Sequence, residues 1–590
     1  MTAGFNIIYT KQNFLYHKRM KKVYFYRICL FLTVTVLTYA SFSQEALKST
    51  EEEYYDFLSI QGITIRPSLN YRTLSDSEWN FTEKEETAGG TELSHPWQNN
   101  NLGSKRALWQ PQEQSESFYL KGVPQGMFVK LYGPEWYNSY NTAAPYGQND
   151  GALWQGKGYN TSLTVGVRLE AYGLELTVKP QLSFSQNASF DYITPNYAGV
   201  DKDGNPTTYA GKASEYGYYG VTSIDAPQRF GDSSFWTFDW GDAEIRYSWH
   251  SLTIGFGTQT IWLGPAQLNP IIHSNNAASY PKIDIGVRKT SVYFPYFKWY
   301  LGDIEARAWW GKLSESDYFD NDDDNDNNLI SGFSIAWRLP VTDLTFGLNR
   351  TMLSKWNAMD KYSLFHIYLP FDSSGGDDAS DQRFSFTADW MFEKAGLEMY
   401  FEWGRNDFSS TISRIFMYPF HTQGWTAGIR KSVYFSDTVK GKITLECTDL
   451  ESSRDYELLW PTTFYAHHII KQGYTNQGQW LGASMTGGNS QYLGFDLYCP
   501  FGAFNFFVQR VNPDLDYTWY LTKEQPNNER EHGIRVVLNI GTGADIWLAK
   551  SFLLSTHIVA QYDNHPFFTN ERGVTERWNA QFSLTAKYIF

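Results

Sequence analysis

Beyond residue 43 the sequence has no apolar run approaching the roughly 20 residues that a membrane-spanning helix needs. That excludes a helical membrane protein and leaves a soluble β protein or a transmembrane barrel. Cysteine is nearly absent, with three in 590 residues, at positions 29, 447 and 499. No disulfide framework can be built from these. Cys447 and Cys499 fall in phase with apolar neighbours, as packed or lipid-facing free thiols do, although a single bridge between them stays open. Basic residues are scarce, 49 Lys and Arg against 63 Asp and Glu. Such a balance repels nucleic acid instead of collecting it. Catalytic signatures are missing as well: there is no HExxH, no GxSxG and no Cys-rich site. The 11 histidines are scattered, His467-His468 being the one adjacent pair, and they read as loop residues. The sequence therefore predicts no enzyme, no metal centre and no cofactor, although a barrel hydrolase built from a spatial Ser/His pair stays open.

The N-terminus carries a targeting pattern. From Met20, Lys21, Lys22 and Arg27 precede an apolar stretch over 28–39, with small residues at Ser41 and Ser43 before Gln44. This reads as a secretory signal cleaved after Ser43, with Met20 the expected start and residues 1–19 an upstream extension. Removing 1–43 takes away six basic residues and no acid, leaving 43 basic against 63 acidic residues and a net charge of −20.

What the chain has in quantity is aromatic residues, 41 Tyr, 41 Phe and 22 Trp, together with 47 Gly. The mean hydropathy is nonetheless −0.45, so the aromatics are interleaved with polar residues. Residues 44–115 predict a short helix opening on a Thr50–Glu53 capping box and ending near Gly62, followed by a linker without sustained periodicity. From about 116 to 590 one pattern recurs: two strands of about ten residues, alternately apolar and polar, joined by a very short turn. Leu163, Val165, Val167 and Leu169 share a face before the Tyr172-Gly173 turn, and Ile245, Tyr247 and Trp249 do so before His250-Ser251. Long irregular segments separate these hairpins, at 186–236, 314–330, 352–382, 405–424, 448–492 and 510–532. Short turns at one end and long loops at the other are the asymmetry of outer-membrane barrels. The chain closes on "NAQFSLTAKYIF", where Phe582, Leu584, Tyr588 and Phe590 hold alternate apolar positions with a terminal aromatic. This is similar to the assembly signal of bacterial outer-membrane barrels. The fold expected is all-β: a transmembrane antiparallel barrel of about 18 strands with a short periplasmic helical segment before it.

Three stretches break the barrel pattern, at 137–160, 261–286 and 465–498. They contain Asn149-Asp150-Gly151, Leu153-Trp154-Gln155-Gly156-Lys157-Gly158, Trp262-Leu263-Gly264-Pro265, Asn269-Pro270-Ile271, Ser274-Asn275-Asn276-Ala277 and Gly473-Tyr474-Thr475 with Leu481-Gly482. In these pieces, and in the leading segment 59–76, the chain resembles the Wzi-like capsule-assembly proteins in the form carried by Bacteroidetes. The resemblance implies an 18-stranded barrel in the outer membrane of a Gram-negative bacterium with a helical element on the periplasmic side. It also implies a lectin-like role, holding capsular or exopolysaccharide at the surface. Partners would be that polysaccharide, outer-membrane lipids and the barrel-assembly machinery, with the protein itself a monomer. The present chain departs in offering one convincing N-terminal helix instead of several.

Sugars are bound by aromatic faces stacking on C–H surfaces and by amides, carboxylates and guanidiniums bonding hydroxyls. Asn149, Asp150, Trp154, Gln155, Arg229, Trp236, Trp262, Asn275 and Asn276 have that chemistry near non-strand segments. The competing reading is that the same Gly-, Pro- and Asn-rich stretches form turns and a structural plug. Asp320, Asp322, Asp324 and Asp326 alternate like calcium-loop ligands, but Asn325 stands at the glycine position and Ser331 at the glutamate position, so a solvated loop is the plainer reading. A porin or solute channel with a lumen lined by Glu398 and Glu402 is the alternative function.

Overall fold

The computed structural model describes residues 49–73, 79–82, 94–102, 115–116, 124–125, 127–193, 216–219, 221, 223–320, 326–368, 380–406, 412–418, 420, 422–452, 464–521, 533–568 and 574–590. The signal segment, and Asp322 and Asp324 of the acidic run, lie outside them.

Eighteen antiparallel strands form a closed barrel. They are β1 (Met127–Asn141), β2 (Gly158–Ala171), β3 (Leu174–Val178 and Gln181–Ser185), β4 (Phe235–Asp239 and Glu244–Trp249), β5 (Leu252–Gly257), β6 (Lys282–Tyr293), β7 (Tyr300–Ser314), β8 (Asn327–Arg338) and β9 (Leu344–Lys355), then β10 (Ser380–Phe392), β11 (Leu397–Asn406), β12 (Gln423–Ser436), β13 (Val439–Asp449), β14 (Asn489–Cys499), β15 (Gly502–Asn512), β16 (Val536–Ala549), β17 (Phe552–Asn564) and β18 (Glu576–Tyr588). β3 and β4 are each interrupted, at 179–180 and 240–243, where Pro180 can offer no N–H to the ladder. The last strand closes on the first, from Gln581 opposite Asn141 to Lys587 opposite Glu135. Closure leaves no unpaired edge, the condition for a sheet in hydrocarbon. No helix among the described residues is long and apolar enough to cross a membrane, so any crossing is made by strands.

The strand faces are inverted relative to a soluble sheet. On β4 and β5 the outward residues Ile245, Tyr247, Trp249, Leu252, Ile254 and Phe256 are 37–59% exposed, while the intervening Arg246 and Thr253 are buried. Phe582, Leu584 and Tyr588 of β18 likewise point outward, 38–47% exposed, and the terminal Phe590 lies against Tyr588, their ring centroids 4.8 Å apart. Period-two alternation therefore marks an apolar lipid-facing exterior and a polar interior. Cys447 and Cys499 sit on neighbouring strands but eight strand positions apart, since Cys447 faces Gln491 of β14, so both are free thiols.

Short turns gather at one end of the barrel. There α1 (Thr50–Ser59) packs Tyr54, Tyr55, Phe57 and Leu58 against Trp97, Tyr498, Trp547 and Leu553. Phe57 stacks on Tyr498 at 4.4 Å and Tyr54 on Trp97 at 4.3 Å. The helix starts one residue earlier than the expected box: Ser49, not Thr50, is the cap, its hydroxyl accepting from the Glu52 N–H at 3.1 Å. Glu52, three residues after this cap, turns inward to accept from the Trp79 indole at 2.9 Å.

The interior is filled. After α1 the chain enters the lumen from the short-turn end, and Tyr71–Thr73 pair antiparallel with Ile261–Leu263, which descends from the long-loop end. Residues 261–281 and 464–486 then fold over each other around Ile261, Leu263, Ile271, Ile272, Tyr465 and Tyr474. The Tyr465 hydroxyl donates to the Ile271 carbonyl at 2.8 Å and accepts from the Ala483 N–H at 2.8 Å. Gly482 has no alternative here, because a Cβ would run into the Ile271 carbonyl. Wall carboxylates hold the plug by its backbone. Glu305 accepts from the N–H groups of Leu69 and Asn70, Glu402 from Ile271, and Glu446 from Gln267, Leu268 and Asn269.

The expectation that Glu398 and Glu402 line an open lumen fails for this reason. Glu402 caps the plug, and Glu398 belongs to a buried ionic cluster. Arg66 reaches Asp56 at 3.0 Å, Asp389 at 2.8 Å and Glu398 at 2.7 Å. Arg430 pairs with Asp56 at 2.6 Å and also with Glu398. The cluster ties α1 and its following segment to β10, β11 and β12. Replacing Arg430 by Met leaves these acids facing one guanidinium, and is expected to cost about 3–5 kcal/mol. Thermal unfolding of the detergent-solubilised barrel checks this; an unchanged midpoint would mean that the cluster is not what docks α1.

Candidate functional site

The plug stops short of the long-loop end, and above it lies a cavity of about 360 Å³. Its walls come from the β1–β2 loop (142–157), residues 190–193, 218–219 and 226–228 of the β3–β4 loop, residues 478–486, and the loop ends of β14 to β18. The volume is within the usual range for small-ligand sites.

The nine sequence-derived candidates separate in space. Asp150, Trp154, Gln155 and Asn276 line the cavity. Trp154 packs on Phe230, centroids 4.8 Å apart, and its indole N–H is buried without an acceptor. Gln155 is a junction: its carbonyl accepts from the Tyr137 and Ser139 hydroxyls and from Gln581, at 2.7–2.8 Å. Asn276 accepts from the Asn149 N–H at 3.0 Å, which welds the β1–β2 loop to the plug. Asn149 sits in the left-handed region at φ 58° and donates to the Leu268 carbonyl, so it holds the loop in place from behind. Asn275 accepts the Gly151 N–H through its main chain, beside a smaller void between plug and wall.

The other three stand apart from the cavity. Arg229 is tied to Asp232 at 2.5 Å and to the Asn187 carbonyl. Trp262 is fully buried in the plug, its indole donating to the Ala266 carbonyl at 3.0 Å. Trp236 projects from the outer wall of β4, 64% exposed and packed on Phe184. Asp320 and Asp326 lie at the two ends of the acidic loop, and the described residues hold no group of His, Cys, Asp or Glu able to bind a metal. His467 accepts from the Ile470 N–H at 3.0 Å and so closes a turn of the 464–486 loop.

Sequence reasoning missed most of the wall. Gln509, Asn539, Gln561 and Asn579 are direct cross-strand partners on β15 to β18, and Asn539, Gln561 and Asn579 each donate to the amide oxygen of the one before at 3.1–3.4 Å. Ser490 of β14 accepts from Gln509 at the other end. Ser490, Gln509, Asn539 and Gln561 face the cavity. Every one occupies an inward position of an alternating strand, but only the register shows that they form one ladder. Opposite chemistry comes from aromatics: Tyr218 lies against Tyr219 at 4.1 Å and edge-on to Trp480 at 5.4 Å. Amides that both donate and accept, next to flat apolar rings, can recognise a polyhydroxylated ligand that presents both C–H faces and hydroxyls.

Burial pushes the Asp150 carboxyl up to about 7 from 3.8, against hydrogen bonds from Gln155 and the Gln148 main chain that lower it. The folded state thus binds this proton more tightly than the unfolded one. Its contribution favours folding most below about pH 4, declines as pH rises toward about 7, and is constant above. Asp150→Asn is expected to remove this slope, gaining on the order of a few kcal/mol over wild type on going from about pH 4 to above about pH 7. Thermal midpoints of both proteins across that range check it, and parallel curves would contradict it.

The family model described as capsule assembly protein Wzi matches residues 139–494. No curated protein matches the chain by sequence. Among solved structures, Wzi of Escherichia coli, an outer-membrane protein involved in group 1 capsule assembly and a carbohydrate-binding β-barrel, aligns at TM-score 0.50 and 12% identity, over 78% of this chain and 84% of that one. OccAB4 of Acinetobacter baumannii aligns at TM-score 0.38 and 8% identity, over 81% and 99%.

Proposed function

Because the chain belongs to the capsule assembly protein Wzi family, we propose that it is a non-enzymatic outer-membrane barrel that binds capsular or exopolysaccharide and retains it at the cell surface. The observation that carries this reading is the cavity at the long-loop end of a closed, filled barrel, lined by aromatic rings and an amide ladder. A barrel whose lumen is occupied by its own chain has that end to offer to a ligand outside the cell. Trp154, Tyr218, Tyr219 and Trp480 supply stacking surface, and Asn276, Gln509, Asn539 and Gln561 take hydroxyls. The apolar outer wall sits among outer-membrane lipids, and the alternating C-terminal strand is the segment read by the barrel-assembly machinery. The protein acts as a monomer, with α1 and the aromatic cluster it packs against forming its periplasmic end. Within the family we place it in the form carried by Bacteroidetes, on the segment 59–76.

The channel reading is disfavoured by the plug, whose backbone is bonded to the wall on several sides. Retention is tested by measuring polysaccharide in cells and in medium. Deletion of the gene is expected to leave total polymer unchanged and move it into the medium. Trp154→Ala is expected to do the same in part, with the folded barrel still present in the membrane. An unchanged distribution accompanied by loss of uptake of a solute would favour the channel.

A further inference from the structure

Two arginines share one carboxylate on the cavity wall. Asp563 of β17 is 1% exposed, and Arg577 of β18 is its direct cross-strand partner. Asp563 Oδ1 accepts from Arg535 Nε at 2.9 Å, and Oδ2 from Arg535 Nη2 at 2.9 Å and Arg577 Nη2 at 2.7 Å. Two positive charges thus meet one negative charge at a surface that faces the cavity. Both guanidiniums are fixed in place. Arg535 lies over Phe568, 5.6 Å from its centroid, and donates to the Tyr219 hydroxyl at 3.2 Å. Arg577 lies over Phe567 at 5.9 Å and donates to the Asp191 carbonyl at 3.3 Å. The Arg577 Nε is buried and has no acceptor.

The amide ladder runs directly alongside. Gln561 is two positions from Asp563 on the same face of β17, with Asn539 and Gln509 following in register. At about 4.8 Å between strands these three amides extend roughly 10 Å from the arginine pair, enough for adjoining sugar rings.

We infer that this corner of the cavity is a subsite for the carboxylate of an acidic sugar residue, a uronic-acid unit of the retained polymer, with the neighbouring rings laid along the amide ladder. The inference rests on the polysaccharide-binding reading above and names the class of sugar it takes. A planar guanidinium matches a planar carboxylate, and a ligand carboxylate here would bring the arginine pair to charge balance. Asp150, Asp191 and Asp514 also line the cavity. The carboxylates of Asp191 and Asp514 repel a ligand carboxylate, which favours the register that sets the charge of an acidic glycan on the arginines.

The test uses the intact mature barrel in detergent and polysaccharide from the producing strain, before and after carbodiimide–borohydride reduction of its carboxyl groups to alcohols. Wild type is expected to bind the native polymer roughly tenfold more tightly than the reduced one. Arg577→Gln should bring that ratio close to one, because Arg535 and Asp563 then balance each other and no positive charge is left over for the ligand. Arg577→Lys, which keeps the charge but not the planar fork, should recover part of it. Equal binding of the two polymers by wild type would overturn the carboxylate subsite and leave polysaccharide binding intact. Failure to bind either polymer would overturn both. Should Arg577→Gln not fold, the wild-type comparison decides alone.

Discussion

Three wall carboxylates make the rest of this structure possible. Irregular backbone inside a barrel at membrane depth must have its N–H groups satisfied by protein, since each one left bare costs several kcal/mol. Glu305, Glu402 and Glu446 reach from β7, β11 and β13 to the main chain of Leu69–Asn70, Ile271 and Gln267–Asn269. Held in this way, two segments that enter from opposite ends meet as a short ladder, Tyr71–Thr73 with Ile261–Leu263. An apolar core then forms inside a wall whose inner face is polar. It is supplied by the plug and by a few inward residues such as Trp309 and Leu353.

The site follows from where the plug ends. With the lumen filled below, the inward faces of β14 to β18 are free near the long loops, and their polar positions become a recognition surface. The rigidity of that surface comes from the barrel: neighbouring amides are fixed by strand register, and the arginines by a buried aspartate and phenylalanine shelves. The β1–β2 loop completes it, locked to the plug through Asn149 and Asn276.

Much of the fold was legible because period-two alternation and turn chemistry are local. The Tyr172-Gly173 and His250-Ser251 hairpins were found from a few residues each, and both Tyr172 and His250 adopt the positive φ such turns demand. The long loops fell close to their observed limits for the same reason. What alternation does not reveal is what lies on the polar side. Glu402 reads as a channel-lining acid until Ile271 is seen donating to it. Trp236 and Trp262 are alike in sequence, yet one faces outward and the other is sealed in the plug, a difference set by strand phase and tertiary packing. The amide ladder and the Arg535–Asp563–Arg577 triad were invisible because their members are separated by whole hairpins and meet only through register.

The central claim is that this is a filled barrel which binds at its outer end and does not conduct. Planar-bilayer recording of the purified protein tests it most directly. Inserted barrels, confirmed by their resistance to unfolding before heating, should show no stable conductance steps. Steady, ohmic steps of porin size from the wild-type chain would mean that the plug leaves the lumen in a membrane, and would contradict the account.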